Sequence, residues 1–482
     1  MSNSFLHGSE AVIVNTGARP IQVVKAAVIG LVGIAPKGTL NTPILVSSDT
    51  DAAQFGSQLP GFTIPQDIDA IFQQGVGTIV VVNVFDPATM TTAVAAETQT
   101  VVNNQIKTAY PPVNDLVIKD STGVTTLVLG TDYSVDDYGN VTLMGAAMAT
   151  YAGLTLNCSY NKLNLSAVTA DKIIGTIADV TGIRSGGKCF DLCYNLFGFN
   201  PRIFITPGFS SLAAVASEMT VWGTKFKGFA LKDAPTGTTV AQAIAGRGPS
   251  GAINFATSDP HDVLLYPMLS AYNAYNNGYE FRWYSAFFAG VWAATILNEG
   301  FHVSPSNHQI QGLSAAAGNS VVETDISASL DDTTAETNLL NAVGIITVFN
   351  SFGTGIRTWG NRSAAFPSSS LPRDMFLAVA MAGYVLDDSV KYAMLQFIDL
   401  PVNAAWIDSV TESVNSFIRT KQQQGAFLDG KCQFLAADNP ATEMANGHFT
   451  FSYDWASPIP GERITFKSMF NIDYVNNLVT NA

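Results

Sequence analysis

The sequence is short of charge. Only 13% of its 482 residues are Asp, Glu, Lys or Arg, roughly half of the ~25% usual in soluble domains, while 47% are apolar. Such a surface must be covered by uncharged polar side chains and glycine, or by other protein. Weak self-repulsion leaves the chain poised to associate, which makes an assembly subunit the first function class to consider. Cations are the scarcer sign, 24 against 38 anions for a net charge of −14, and no basic block occurs. Neutralising phosphates needs clustered Lys and Arg, so nucleic acid is not expected as a partner. Cysteine is scarce too: Cys158, Cys189, Cys193 and Cys432 make no disulfide framework, and a reducing compartment suits them. Long apolar runs are missing. The longest, Ala286 to Leu297, falls well short of the ~20 residues of a spanning helix and reads as a buried helix. The opening MSNSFLHGSEAVIV has no cationic stretch followed by an apolar one, so no secretory signal is expected and folding in the cytoplasm follows.

Catalytic patterns are absent or only imitated. There is no HExxH and no GxSxG. Gly182 to Cys189 (GIRSGGKC) imitates a phosphate-binding loop, but Cys189 stands where a magnesium-binding hydroxyl belongs, and the preceding DKIIGTIADV reads as a helix where a strand is required. Gly246-x-Gly248-x-x-Gly251 follows the helical VAQAIA and carries Pro249, so it reads as a turn. Cys189 and Cys193 could share a helical face as two metal ligands, but no second pair of Cys or His completes a zinc site, and buried thiols are the plainer reading. His302 and His308 flank a Ser-Pro-Ser-Asn turn with no adjacent nucleophile. No catalytic residue, cofactor or metal is expected.

What is present alternates strand and helix. Residues 8 to 35 read as an extended arm and then a strand. A helix beginning at Pro65, with Ile68, Ile71 and Phe72 on one face, precedes the buried strand TIVVVNV. From about 88 to 165 short strands with Gly, Asp and Asn turns replace that alternation, which reads as an inserted all-β module. The alternation then resumes. Leu212, Val215, Ala216, Met219 and Trp222 lie at helical spacing, GFAL and DVLLYP read as strands, and a helix spans 283 to 298. The last third reads as helix AETNLLNAV, strands GIITVFN and GIRTWG, helices from Arg373 to Ile398 and from Val402 to Gln424, and three extended segments, AFLDGKCQFLA, HFTFSYDW and RITFKSMF. The fold class is therefore mixed α+β and α/β, multidomain: mixed sheets flanked by helices, an inserted all-β domain and extended terminal arms. The expected division is an arm over 1–20, an α/β domain over 21–90 that continues over 166–345, the insert over 91–165, a core domain over 346–470 and a second arm over 471–482.

Several motifs, in order along nearly the whole chain, resemble those of contractile tail sheath proteins, which form the outer cylinder of myophage tails and related contractile injection particles. They are HGSEAVIVNTGARPI (His7 to Ile21), PRIFITPG (Pro201 to Gly208), the Asp233-Ala234-Pro235 turn, VSPSN (Val303 to Asn307), NLLNAVGI (Asn338 to Ile345) and RTWGNRS (Arg357 to Ser363). The last is close to the family's Trp-Gly-Asn-Arg-Thr signature, with Ser363 in place of the Thr. Its Arg357, Trp359, Gly360, Asn361 and Arg362 suit a packed corner pinning a strand to a helix; direct intersubunit contact is the alternative.

The resemblance implies a structural subunit that polymerises on itself as hexameric rings stacked helically around a tail tube protein. Arms exchanged as strands are Ala11, Val12, Ile13 and Val14 at one end and Tyr474, Val475, Leu478 and Val479 at the other. It implies further partners at the baseplate and tail terminator, contraction that drives the tube through the host envelope, and a place in the virion tail after assembly in host cytoplasm. No nucleic acid partner or membrane contact of its own is implied. A helix over Ser409 to Gln424 with Arg419 and Lys421 is the candidate tube-facing element. Pro36, Gly38 and Pro43, and Pro458, Pro460 and Gly461, read equally as arm hinges or ordinary loop residues. Two other readings stay open: the sheath of a bacteriocin or secretion particle, and a nucleotide-dependent α/β enzyme.

Overall fold

The computed structural model describes residues 20–249, 251, 253, 255–351, 353–472 and 474. The chain enters an eight-stranded sheet through β1 (Ile29–Gly33), β2 (Pro43–Val46), helix α1 (Ile64–Phe72) and β3 (Ile79–Asn83). Pro65 occupies the first turn of α1, where its missing N–H costs nothing, and Ile64, Ile68 and Ile71 face the core. Of the extended reading of residues 8–35, the part over 8–19 lies outside the described residues, and over 20–35 only β1 is a strand. Pairing starts at Ile29 because the neighbouring strands begin opposite it, at Ile79 and Ile203, and residues 20–28 have no strand partner.

Residues 91–163 form β4 (Thr91–Thr100), β5 (Gln105–Lys107), β6 (Asn114–Asp120), β7 (Tyr133–Val135), β8 (Asn140–Leu143) and β9 (Thr155–Leu163), with one helical turn at Ala147–Thr150. They make two three-stranded sheets, β4-β9-β6 and β5-β8-β7, separate from the main sheet, around their own buried Ile118, Val141, Leu156, Cys158 and Tyr160. The Asn164 N–H donates to Met90 O at 2.9 Å, so entry and exit lie side by side. The stretch docks on the body where Asp137 accepts from Lys37 Nζ and Ser57 Oγ, each at 2.8 Å, and where Tyr138 and Lys107 meet the Tyr275 ring.

The chain then returns through β10 (Ile203–Ile205), α2 (Ala213–Phe226), β11 (Phe229–Asp233), β12 (Asp262–Leu265), the hairpin β13 (Leu269–Asn273) and β14 (Gly278–Arg282), α3 (Tyr284–Asn298), β15 (Ile345–Ser351) and β16 (Gly355–Trp359). In the sheet order β16-β15-β12-β11-β10-β1-β3-β2, only the two edge strands, β2 and β16, run antiparallel to their neighbours. Strands buried on both faces read as continuous apolar runs. Ile79, Val81, Ile203 and Ile205 face α1 and α3, whereas Val80, Val82 and Phe204 face Val215, Met219 and Trp222 of α2. α3 is buried nearly all round, as a helix apolar on every side must be. A division between 345 and 346 would cut β15 at its first residue, and the sheet continues through it. DKIIGTIADV is helical only over Ala170–Ile174 and ends at Gly175.

Short helices at Val240–Ala245 and Glu336–Ala342, the latter within the expected AETNLLNAV, precede β15, and past β16 the main elements are α4 (Leu377–Ala393), α5 (Ala404–Gln423), β17 (Asp429–Gln433) and β18 (Ser452–Ala456). The helix expected from Arg373 breaks at Phe376, which is extended between the turn Pro372–Met375 and α4. RITFKSMF, expected as a third extended segment, has no strand partner, and residues 461–470 are all exposed. Pro36 and Gly38 lie between two strands of the main sheet, and Pro43 begins the second of them, β2. The Asn83 amide donates to Lys37 O at 3.0 Å and the Asn41 N–H to Asn83 O at 2.8 Å, so this stretch is an ordinary anchored loop.

Candidate assembly surfaces

α5 starts where the Asn403 side chain accepts the Trp406 N–H at 2.9 Å. Its buried face, Val410, Val414, Phe417 and Ile418, lies beside the two-stranded sheet β17-β18. Tyr453 and Trp455 of β18 turn inward. The Tyr453 hydroxyl donates to Asp387 Oδ1 at 2.6 Å, and burial together with that carboxylate pushes its pKa up. On β17 the Cys432 N–H donates to Asn415 Oδ1 at 2.7 Å and its carbonyl accepts from Asn415 Nδ2 at 3.1 Å, so a side chain of α5 occupies that backbone edge. Among the described residues no strand pairs with the other edge of β18.

Beyond Ser457 the described chain forms no strand. Its apolar side chains face solvent: Ile464 is 75% exposed, Phe466 88%, Phe470 83% and Ile472 70%. These four share one parity, with Ser468 between them, while Arg463, Thr465, Lys467, Met469 and Asn471 take the other. As a strand the segment has one apolar and one mainly polar face. Tyr474, expected in an extended arm, instead closes a turn, its N–H donating to Asn471 O at 3.3 Å. Val475, Leu478 and Val479, like Ala11, Val12, Ile13 and Val14, lie outside the described residues. The period-two pattern over 464–472 is legible in the sequence.

The signature residues separate into two groups. Trp359 stacks on Phe349 with centroids 4.6 Å apart, the Asn361 carbonyl accepts the Leu377 N–H at 3.0 Å, and Arg357 Nη1 donates to Asn307 O at 2.7 Å. Gly360 has φ +123, and a Cβ there would stand 2.6 Å from Asn341 Oδ1, so this turn takes glycine. These residues form a packed corner joining β16, the Ser-Pro-Ser-Asn turn and α4. Arg247, inside the glycine pattern at 246–251, braces the same corner, donating to the carbonyls of Val343, Phe255, Thr257, Ala364 and Phe366. Arg362 points elsewhere. Its guanidinium lies 3.8 Å from the Phe366 ring centroid, and its Nε donates to Glu462 Oε1 at 2.8 Å while Nη2 takes Oε2.

The imitation of a phosphate loop has a packing explanation. A Cβ on Gly187 would sit 1.8 Å from the Trp222 ring, and Lys188 is paired with Glu218. Burial pushes the Cys189 thiol up to about 11 and that of Cys193 to about 12, which disfavours the thiolates that bind metal. No cluster of three or more metal-binding side chains occurs among the described residues. His308 Nε2 meets Glu299 Oε1 at 2.8 Å, and burial lowers the pKa of His302.

The polar side of α5 lines a groove of about 640 Å³ with Pro20, Ile21, Gln22 and Val23. Lys421 lies on its wall, its Nζ 2.7 Å from Gln424 Oε1, and Arg419 pairs with Glu412. Two residues apart, they point about 200° from each other around the helix. They flank the groove and form no joint cationic patch.

Comparison with known proteins places these features in context. Residues 182–364 match the family model described as phage tail sheath protein central domain. The chain is 40% identical over 481 residues to the tail sheath protein of Burkholderia phage BcepMu, covering 99% of each. Among solved structures it resembles the helical sheath of the anti-feeding prophage in the contracted state, with TM-score 0.58, 14% identity and coverage of 97% of this chain and 100% of that one. It also resembles the contracted sheath complex of the extracellular contractile injection system PVC, with TM-score 0.56, 14% identity and coverage of 98% and 100%.

Proposed function

The chain belongs to the phage tail sheath family, and from that premise we propose that it polymerises by strand exchange, as hexameric rings stacked helically around a tail tube, and contracts to drive the tube through the host envelope. It is a structural sheath protein and not an enzyme. One observation carries the proposal: a two-faced apolar segment, residues 464–472, stands in solvent on the same chain as a two-stranded sheet with an unpaired β18 edge.

Strand addition joins these features. A segment from a neighbouring subunit set beside β18 continues the inward face of Tyr453 and Trp455 with Ile464, Phe466, Phe470 and Ile472, which removes their apolar surface from water. Some five main-chain hydrogen bonds at a net ~1 kcal/mol each bind one strand modestly, and repetition around a ring multiplies the effect. The N-terminal segment, with Ala11 to Val14, is the second arm in this reading. It joins the described chain at Pro20, on the wall of the α5 groove.

Contraction is then a change between two packings of linked subunits, triggered at the baseplate. A surface with few charges suits it, because contacts can exchange without stripping ions of water. The tube meets the polar side of α5 between Arg419 and Lys421, and terminator and baseplate proteins close the two ends. A phage relative matched at full length supports a place in the virion tail after assembly in host cytoplasm, in preference to a bacteriocin or secretion particle. Purified full-length chain is expected to form tubes in negative-stain images. A chain ending at Gly461 is expected to stay folded with its Tm within a few degrees and to form none. Normal tubes from the truncated chain would sink the strand-exchange reading.

A further inference from the structure

We infer that Arg362 and Glu462 are positioning residues for strand donation: their ion pair anchors the root of the C-terminal segment, so that free movement begins at Arg463. The purpose rests on the strand-exchange reading, but the anchor itself is a property of the single subunit. Ser457 is buried, its hydroxyl donating to Ala426 O at 3.2 Å. Between it and the apolar run, Glu462 is held by the body. Arg362 grips both carboxylate oxygens, and a fork of that kind fixes direction as well as distance. The guanidinium is itself held between aromatic rings, with centroids 3.8 Å away at Phe366 and 5.4 Å away at Phe376. Of the four linking residues, Pro458 and Pro460 have fixed φ.

The stretch from Pro458 to Gly461 is therefore a strut tied at both ends, where the sequence alone allowed a hinge. With the root set, Ile464 always becomes the first apolar residue presented to a neighbour. Conformational freedom that would otherwise be lost on binding has been given up beforehand. The Arg362 and Glu462 side chains are 24% and 32% exposed, so salt reaches the pair and weakens it.

Trypsin reads the anchor directly, because Arg463 and Lys467 are both cleavage sites. Cleavage after Arg463 needs the adjoining Glu462 to leave Arg362 and enter the protease cleft, whereas the bond after Lys467 lies in exposed chain with no such tie. In dilute full-length subunit, mass spectrometry should show Lys467 cut several-fold faster than Arg463. Arg362→Gln, which alters neither site, should raise cleavage at Arg463 about three-fold or more and leave Lys467 unchanged. Molar salt should shift the unmodified chain the same way and the variant hardly at all. If Arg362→Gln does not fold, Glu462→Gln replaces it, with synthetic peptides of residues 458–472 correcting for the protease's own preference. An unchanged ratio of the two cleavages would overturn the inference. The assay needs no polymer, so its failure is distinct from tube formation by the truncated chain.

Discussion

Asp233 closes β11 with its carboxylate buried, accepting the Ser285 N–H at 2.8 Å, the Ser285 hydroxyl at 2.5 Å and the Ser210 hydroxyl at 3.4 Å. Burial outweighs these donors and raises its pKa to about 7. Burial also raises Asp67, against the attraction of Arg282 and with the repulsion of Asp233. Between about 3.9, the unfolded value, and about 7, folded Asp233 holds a proton that the unfolded chain has released. Its contribution is thus complete below the unfolded value, falls as pH rises to about 7, and stays flat above that. Asp233→Asn should remove this dependence: the Tm of the unmodified chain relative to the variant declines from pH 4 to pH 7, followed by calorimetry. Scarcity of charge was plain from composition. That several charges lie inside, as in Arg202–Asp388 at 2.5 Å and Lys232–Asp262 at 2.7 Å, was not, because each pair joins residues far apart in the chain.

Elements with strong patterns were legible. α1, α3, β3, β11 and β12 lie where periodicity puts them, since each buries one stripe or both faces against neighbours of the same sheet. The β13-β14 hairpin was missed because its exposed side carries Tyr272, Tyr279 and Phe281, so no alternation of polar with apolar residues marks it. How closely α1 and α3 approach is also a tertiary fact. A Cβ on Gly290 would meet Gln74 Cγ at 2.7 Å and the Ile71 Cα at 3.0 Å. Gly290→Val should push the helices apart and lower stability by about 1–3 kcal/mol, read as a fall in Tm with the far-ultraviolet spectrum retained.

Across the whole molecule, the β-rich stretch is attached by neighbouring ends and has its own buried cluster. We expect replacement of residues 91–163 by a short Gly/Ser linker to leave a folded subunit that still forms tubes, with a thinner outer wall by negative stain. Its contacts through Asp137 are exposed or half-buried and of small worth. Loss of folding would show that the stretch shares the main core.

Sequence by itself determined the class of molecule: few charges, no catalytic constellation, alternating strands and helices, a β-rich interruption and a signature at Arg357 to Ser363, all properties of residue order and local spacing. It also contained the alternating face of residues 464–472. Only the tertiary structure decided what those residues do. Gly187 makes room for Trp222, Asn415 occupies the edge of β17, and Arg362 reaches across 100 positions to Glu462. Contacts between distant positions leave no period in one sequence, because the partner that gives each residue its role is supplied by the fold.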